Sequence, residues 1–151
     1  LGPDHLHLAT TLGNLGRVLV RQENYQSARL HHQRALTITQ KALGPDHPHV
    51  AYSLIGLARA ALGTGDPASA RAYAERAVSI REAATVTPVS LAEARFVLAR
   101  ALWSTPSEQP RARTLAEQAR DMLVTVEDRS EAEGDLADIE AWLAEHRVNN
   151  K

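Results

Sequence analysis

The chain of 151 residues contains no cysteine, and this absence removes several kinds of chemistry at once. Disulfide bonds, thiolate zinc sites and cysteine nucleophiles are excluded. Nothing resembles a signal peptide, and no apolar run approaches the roughly 20 residues of a membrane-spanning helix. The formal net charge of −1 gives no general attraction to nucleic acid or to an anionic membrane. We therefore expect a cytoplasmic protein without nucleic-acid or membrane partners.

In place of these features the sequence has an internal repeat. The motif Leu-Gly-Pro-Asp-His at residues 1–5 returns at residues 43–47, which is an offset of 42. The same register relates Ala9 to Ala51, Leu12 to Leu54, Ala28 to Ala70, Ala35 to Ala77 and Ile38 to Ile80. A fixed period of about 20–50 residues predicts a solenoid of stacked units. The composition, 44% hydrophobic with abundant alanine and only 4% aromatic, favours closely packed helices.

Hydrophobic periodicity predicts an all-α chain of three helical hairpins and a final helix. The first two hairpins are expected from helices at about residues 5–21, 25–43, 48–62 and 67–82. The third hairpin is divergent, and a last helix is expected at about 131–147. We assign residues 1–43, 44–85 and 86–126 to three repeats and 127–151 to a capping helix and tail.

Turn residues separate these helices. Gly44-Pro45-Asp46 carries a stop signal followed by an aspartate that can cap the next helix. Asp66-Pro67 is typical of an N-cap followed by a first-turn proline. In the first helix one apolar stripe is predicted, formed by Leu8, Leu12, Leu15 and Leu19. In the last helix Trp142 and Leu143 should pack on the third hairpin, near Leu115 and Leu123.

Each hairpin carries a leucine followed by a small residue, then two alanines seven positions apart. The sets are Leu15-Gly16, Ala28 and Ala35; Leu57-Ala58, Ala70 and Ala77; Leu98-Ala99, Ala112 and Ala119. The small side chains allow the two helices of a hairpin to approach closely. This spacing resembles the tetratricopeptide repeat, which implies a right-handed superhelix that binds proteins or peptides. A HEAT or armadillo array has a similar period but does not explain the spacing.

The period of 42 is longer than the usual repeat. Together with the Leu-Gly-Pro-Asp-His-Pro and Asn-Leu-Gly segments, it resembles the long repeats of kinesin light chains and their bacterial relatives. The third repeat and the Ile139–Leu143 segment resemble C-terminal arrays of large bacterial multidomain proteins, including serine/threonine kinases. The sequence is accordingly interpreted as part of such a protein, with a docking or regulatory role.

In the family that the sequence resembles, the first helix of each repeat lines a concave groove. The candidate partner-binding residues carried onto this chain are Asn14, Arg17, Arg21, Tyr52, Arg59, Phe96, Arg100 and Trp103. Arg17, Arg59 and Arg100 occupy equivalent positions and form a predicted ladder, which suits carboxylates of an acidic partner. Asn14 matches the asparagine that holds a bound peptide's backbone, whereas repeats two and three have Gly56 and Val97 there. In the alternative interpretation the arginines are solvated or pair with nearby glutamates, and Phe96 and Trp103 belong to the core.

Other chemistry has little support in the sequence. The seven histidines include His5 and His47 at the turn between repeats, where a structural role is expected instead of a metal site. Gly63-Thr64-Gly65 lacks the lysine of a phosphate-binding loop and follows no strand. No serine has an evident base and orienting partner. We expect a non-catalytic chain without metal or cofactor.

The first helix contains more leucine than its own hairpin needs to bury. An exposed apolar patch of a few hundred Å² tends to find a partner. The sequence therefore also predicts self-association through the N-terminal hairpin, with a symmetric dimer as the simplest closed arrangement. A structural spacer or self-association module is the alternative to a peptide-binding scaffold.

Overall fold

A computed structural model describes residues 3–127, 130 and 132–147 of the chain. The first two residues of the repeated motif and residues 148–151 of the predicted tail lie outside the described residues. The described residues form seven α-helices: α1 (Pro3–Arg21), α2 (Tyr25–Leu43), α3 (Pro48–Gly63), α4 (Pro67–Ala83), α5 (Pro88–Leu102), α6 (Gln109–Val124) and α7 (Glu133–Glu145). A short 3₁₀ turn, Pro106–Glu108, precedes α6. The predicted all-α class and the order of helices are confirmed.

Local sequence signals begin and end these helices. Asp66 is the N-cap of α4, where its Oδ1 accepts a hydrogen bond from the Ser69 backbone N–H at 3.0 Å, and Pro67 is the first helical residue. Gly44 follows α2 with φ of 93°, a conformation that suits glycine. The N-cap of α3 differs from expectation: His47 takes this position in place of Asp46, and its Nδ1 accepts from the His49 N–H at 3.2 Å.

Helices adjacent in sequence pack as antiparallel pairs, and the main contacts among described residues join elements that are adjacent or next but one. The predicted small positions explain how closely the helices approach. The first alanine of each pair is fully buried: Ala28, Ala70 and Ala112. The second alanine, two helical turns later, is also buried: Ala35, Ala77 and Ala119. The result is a nearest-neighbour array in which each hairpin is supported by the next.

The N-terminal helix buries a different face from the one predicted. Leu12 is buried, but Leu8 and Leu15 remain exposed. Ala9 joins Leu12 in a small cluster with Ala35 of α2. The predicted stripe is therefore only partly buried. One side of α1 packs on α2 and α3, and no described helix packs on its other side.

Helix α7 packs against α6 at the other end of the array. Leu143 belongs to the same core cluster as Leu123, and Leu115 packs against that cluster, as predicted. The Trp142 ring meets Phe96 and Trp103 edge to face, with centroids 6.0 and 5.3 Å apart. None of the described helices combines the length and apolarity needed to cross a bilayer.

Candidate partner-binding groove

A cavity of about 380 Å³ lies along the first helices of the three hairpins and is called the groove pocket here. Its walls come from α1, α3 and α5, with additional residues from α2 and α7. The lining residues are Arg17, Val20, Arg21, Tyr25, His32, Tyr52, Ile55, Gly56, Arg59, Leu62, Gly63, Glu93, Phe96, Val97, Arg100, Asp135 and Asp138. The helical face that the sequence pattern marks out on the three first helices supplies most of this lining.

Six of the eight candidate binding residues line the groove pocket, namely Arg17, Arg21, Tyr52, Arg59, Phe96 and Arg100. Asn14 lies beside it, in a neighbouring cavity of about 350 Å³, where its Oδ1 accepts a hydrogen bond from the Tyr52 hydroxyl at 3.1 Å. Trp103 does not line the pocket; it packs against Trp142 and His146.

The central arginine of the ladder is already paired. Arg59 Nη1 lies 3.0 Å from Glu93 Oε1, and the other oxygen of Glu93 lies 3.0 Å from Arg81 Nη1. Arg81 is only 6% exposed and also donates to the Ser90 carbonyl, so it holds Glu93 in place from behind. Arg59 therefore pairs with a nearby glutamate, as the alternative interpretation of the ladder predicted. Glu93 is thus shared between two arginines, and the cluster of three carries a formal charge of +1.

The outer arginines differ from Arg59. Arg17 and Arg21 are exposed, and neither has an ion pair or hydrogen bond with another described residue. Arg100 is exposed as well, and it has no direct ion pair among the described residues. Desolvation of its guanidinium and the nearby charge of Arg59 lower the pKa of Arg100. Arg17 and Arg21 of α1 and Arg100 of α5 are therefore the arginines of the groove pocket without an ion pair among the described residues.

His32 of α2 is the most buried polar group of the groove pocket, at 1% exposure. It reaches the pocket because Gly16 and Gly56 have no side chains: a Cβ on Gly56 would lie 2.2 Å from the His32 ring, and one on Gly16 2.6 Å from it. Neither ring nitrogen has a hydrogen-bond partner of acceptable geometry in the described part of the chain, although the Gly16 backbone is close. Burial, with a smaller contribution from Arg59, lowers the pKa of His32 to about 4, so the ring is neutral at pH 7.

Two tyrosines reach the groove pocket by the same device. A Cβ on Gly63 would meet the Tyr25 ring at 2.2 Å, and one on Gly13 would meet the Tyr52 ring at 2.8 Å. Glycines on the first helices therefore leave space for rings that belong to neighbouring helices. We call Gly13, Gly16, Gly56 and Gly63 the glycine seats. Sequence reasoning placed Gly56 on the groove face but did not identify Tyr25 or His32 as lining residues. The pairing of a groove-face glycine with a ring on the adjacent helix is the signal that could have found them.

The acidic wall of the groove pocket was also missed. Asp135 and Asp138 come from α7, which was expected to act only as a cap. Burial, followed by the negative charges of Glu93 and Asp138, raises the pKa of Asp135, while Arg59 and Arg21 oppose this shift. The signal in the sequence was the acidic face opposite the apolar stripe of α7.

The turn histidines have structural contacts. His47 caps α3, and its ring meets the His49 ring edge to face at 5.0 Å. Within the described ranges no group of three or more histidine, aspartate or glutamate side chains is arranged to hold a metal ion. The groove pocket is thus a cavity lined by side chains of both charges and by aromatic rings.

Comparison with known protein families gives one match. A family model described as the tetratricopeptide repeat matches residues 7–83, just over half of the chain. The matched region contains α2, α3 and α4 and most of α1, which carry the spacing of the leucine–small-residue pair and the two alanines. The match favours this repeat over the HEAT or armadillo alternative. No curated protein matches the sequence at a significant level.

Proposed function

Because the chain belongs to the tetratricopeptide repeat family, whose members generally mediate protein–protein interactions, we propose that its groove pocket binds an acidic peptide segment of a partner protein. Arrays of this family are typically non-catalytic, and the proposal assigns binding alone to this chain. The observation that carries it is the pair Arg17 and Arg21, exposed on the pocket wall and without an ion pair among the described residues. An arginine fork without a partner recognises a carboxylate through two parallel hydrogen bonds.

We further propose that the array is a cytoplasmic docking or regulatory part of a larger bacterial signalling protein, such as a serine/threonine kinase. The support is the resemblance of the long repeat to kinesin light chains and of the C-terminal part to trailing repeats of such kinases. Sequencing the gene around this segment tests the proposal. A kinase or nucleotide-binding domain on the same chain supports it, and a parent chain consisting only of repeats contradicts it.

Substitution of Arg17 tests the acidic-ligand proposal. A peptide rich in glutamate, selected from a display library against this protein, should bind about three- to tenfold more weakly to Arg17→Ala, because one charge-assisted contact is lost. Fluorescence anisotropy measures the dissociation constant. Raising the ionic strength should also weaken binding, since salt screens exposed charges.

Arg34→Ala is the matched control, because Arg34 is an exposed arginine of α2 outside the groove pocket and without an ion pair among the described residues. Its affinity for the peptide should equal that of the parent protein. Equal affinities for Arg17→Ala and Arg34→Ala would contradict the proposal.

A second candidate function is self-association through the N-terminal hairpin, either as a dimer or as a spacer between copies. The observation that favours it is a set of exposed apolar side chains on α1 and α2: Leu8, Leu15, Val18 and Leu30. Leu15 is 43% exposed and Leu30 72% exposed. Burial of such a patch between two copies would remove it from water.

Light scattering of Leu15→Glu tests self-association. If α1 forms the contact, this variant should be monomeric at concentrations where the parent protein dimerises, because a charge enters the interface. Val124→Glu is the matched control, since Val124 is 48% exposed but lies on α6 at the other end. A parent protein that stays monomeric at high concentration would contradict the proposal.

A further inference from the structure

The groove pocket has two walls of opposite charge. Arg17 and Arg21 of α1 form one wall, and Asp135 and Asp138 of α7 form the other. None of these four side chains has an ion pair or hydrogen bond with another described residue. All four border one cavity of about 380 Å³, so a single ligand can contact both walls. The unpaired charges of these two walls are opposite in sign, and Arg100 of α5 adds a third unpaired arginine to the pocket, near Asp138.

Arg59 of α3 and Glu93 of α5 form an ion pair within the lining of the groove pocket. Glu93 lies 3.0 Å from both Arg59 and the buried Arg81, and the Arg81 guanidinium fixes its position. A ligand carboxylate that approaches Arg59 must compete with Glu93. Its more favourable positions are at the unpaired arginines, two of which, Arg17 and Arg21, are on α1 and one of which, Arg100, is on α5. We assign the acidic group of the ligand to α1, where two unpaired arginines lie four residues apart on one helix.

The acidic wall has no ion pair among the described residues, although the charge of Arg100 is close enough to interact with Asp138. Asp135 is half-buried and close to two further carboxylates, Glu93 and Asp138, and these surroundings disfavour its charged form. A positive charge placed beside Asp135 and Asp138 would relieve the repulsion and replace lost hydration. Arg21 and Arg59 oppose the repulsion only from beyond ion-pair distance. An ammonium or guanidinium group of a ligand is the chemistry that this wall fits.

His32 independently indicates that the groove pocket receives a polar ligand. Its ring is 1% exposed, lines the pocket and has no hydrogen-bond partner among the described residues. A buried polar group without a partner is costly, so native structures usually supply one. A backbone amide or carbonyl of a bound chain can serve, since the neutral imidazole both donates and accepts.

We propose, building on the proposed function, that the groove pocket selects a peptide segment carrying both signs of charge: an acidic side chain at Arg17 and Arg21, and a lysine or arginine at Asp135 and Asp138. A neutral spacer crosses the Arg59–Glu93 pair. The cavity volume lies at the lower end for ligand pockets and accommodates a few residues, so the two charges must be close in the ligand sequence. The selective element is α7, which adds a cation site to an arginine-lined groove.

Paired peptides test this specificity. Each selected peptide is synthesised with its lysine retained or replaced by norleucine, which keeps the aliphatic stem and removes the charge. The lysine form should bind the parent protein about tenfold more tightly. The double variant Asp135→Asn, Asp138→Asn should bind the lysine form about tenfold more weakly and should no longer distinguish the two peptides. Glu140→Gln, an exposed α7 residue outside the pocket, should behave as the parent protein does.

The outcomes separate this inference from the proposed function. If lysine and norleucine peptides bind the parent protein equally while Arg17→Ala still weakens both, the cation site is wrong and the acidic-ligand proposal stands. If the double variant binds both peptides more tightly, the α7 carboxylates are internal competitors of an acidic ligand, and the inference is overturned. If Arg17→Ala changes neither affinity but the lysine preference persists and disappears in the double variant, the cation site stands and the acidic-ligand proposal fails. Thermal melting confirms that each variant is folded.

Discussion

The two ends of the array contain the same kind of hairpin in different surroundings. At the N-terminal end, α1 and α2 share a small cluster of Ala9, Leu12 and Ala35, and Leu15 remains exposed. At the C-terminal end a continuous core runs through α5 and α6 to Leu143 of α7. The difference shows that a repeat's stability comes from its neighbours as much as from its own sequence.

The C-terminal end is also tied by contacts that the N-terminal end does not share in the described residues. Trp142 stacks on His146 with ring centroids 4.3 Å apart and meets Trp103 edge to face. Arg113 of α6 donates to the Leu143 and His146 carbonyls at 3.2 and 3.0 Å, which satisfies acceptors at the end of α7. We therefore expect substitutions to cost most at this end.

The largest expected effect is that of Trp142→Ala. It removes a half-buried indole from the aromatic cluster and should lower the free energy of unfolding by about 2–4 kcal/mol. Leu30→Ala is the N-terminal counterpart, a large apolar residue that is mostly exposed, and its cost should stay within about 0.5 kcal/mol. Urea denaturation followed by circular dichroism measures both values. Equal costs would contradict the asymmetry between the two ends.

Acidification should destabilise the hairpin that contains His32. The pKa of His32 is lowered from 6.5 to about 4 in the folded protein, so the unfolded chain binds a proton that the folded protein does not. The free energy of unfolding should be highest above pH 6.5, where His32 is neutral in both states. It should fall by at most about 3 kcal/mol as the pH falls toward 4. Urea titrations between pH 7 and pH 4 measure this slope.

His32→Leu is the control for the pH experiment, because leucine has a similar volume and cannot titrate. Its stability should vary less with pH than that of the parent protein across this interval. If the two slopes coincide, other groups cause the acid sensitivity.

A smaller effect is expected from the glycine seats. Gly56→Ala places a Cβ against the buried His32 ring and should cost about 1–3 kcal/mol, since the ring must move. Gly134→Ala in α7 is the control, because a Cβ there meets nothing within 4 Å. It should stabilise the protein by about 0.5–1 kcal/mol through helix propensity. Thermal unfolding compares the two, and a neutral Gly56→Ala would contradict the seating role.

The sequence was sufficient to predict the helices and the groove face of the first helices, because both follow from periodicity. The 42-residue register placed Arg17, Arg59 and Arg100 in equivalent positions, and all three line the groove pocket. An excess of leucine on the first helix was predicted, but periodicity does not show which leucines of an apolar stripe find a neighbour, so Leu8 and Leu15 were not singled out as the exposed ones.

The remaining features depend on relations outside the repeat. Helix α7 has no equivalent in the other hairpins, so no register indicated that Asp135 and Asp138 would reach the groove pocket. His32 fits only because Gly16 of α1 and Gly56 of α3, on the helices adjacent to it, have no side chains. Pairings between helices, and not patterns along one helix, decide such details. The repeat boundaries, the handedness of the superhelix and the binding roles stay predictions.

The nearest-neighbour packing has a consequence for how tightly a ligand is held. Among the described helices, α1 and α7 stand at the two ends of the array with packed neighbours on one side only, so we expect them to fray more readily than the inner helices. Molecules in which α1 has frayed lack one wall of the groove pocket. Apparent affinity then falls in proportion to the competent fraction, while a ligand that spans α1 and α7 raises that fraction by mass action. Hydrogen exchange of the α1 amides should therefore slow when the pocket is filled. Binding in the groove pocket would thus make the N-terminal helix more ordered.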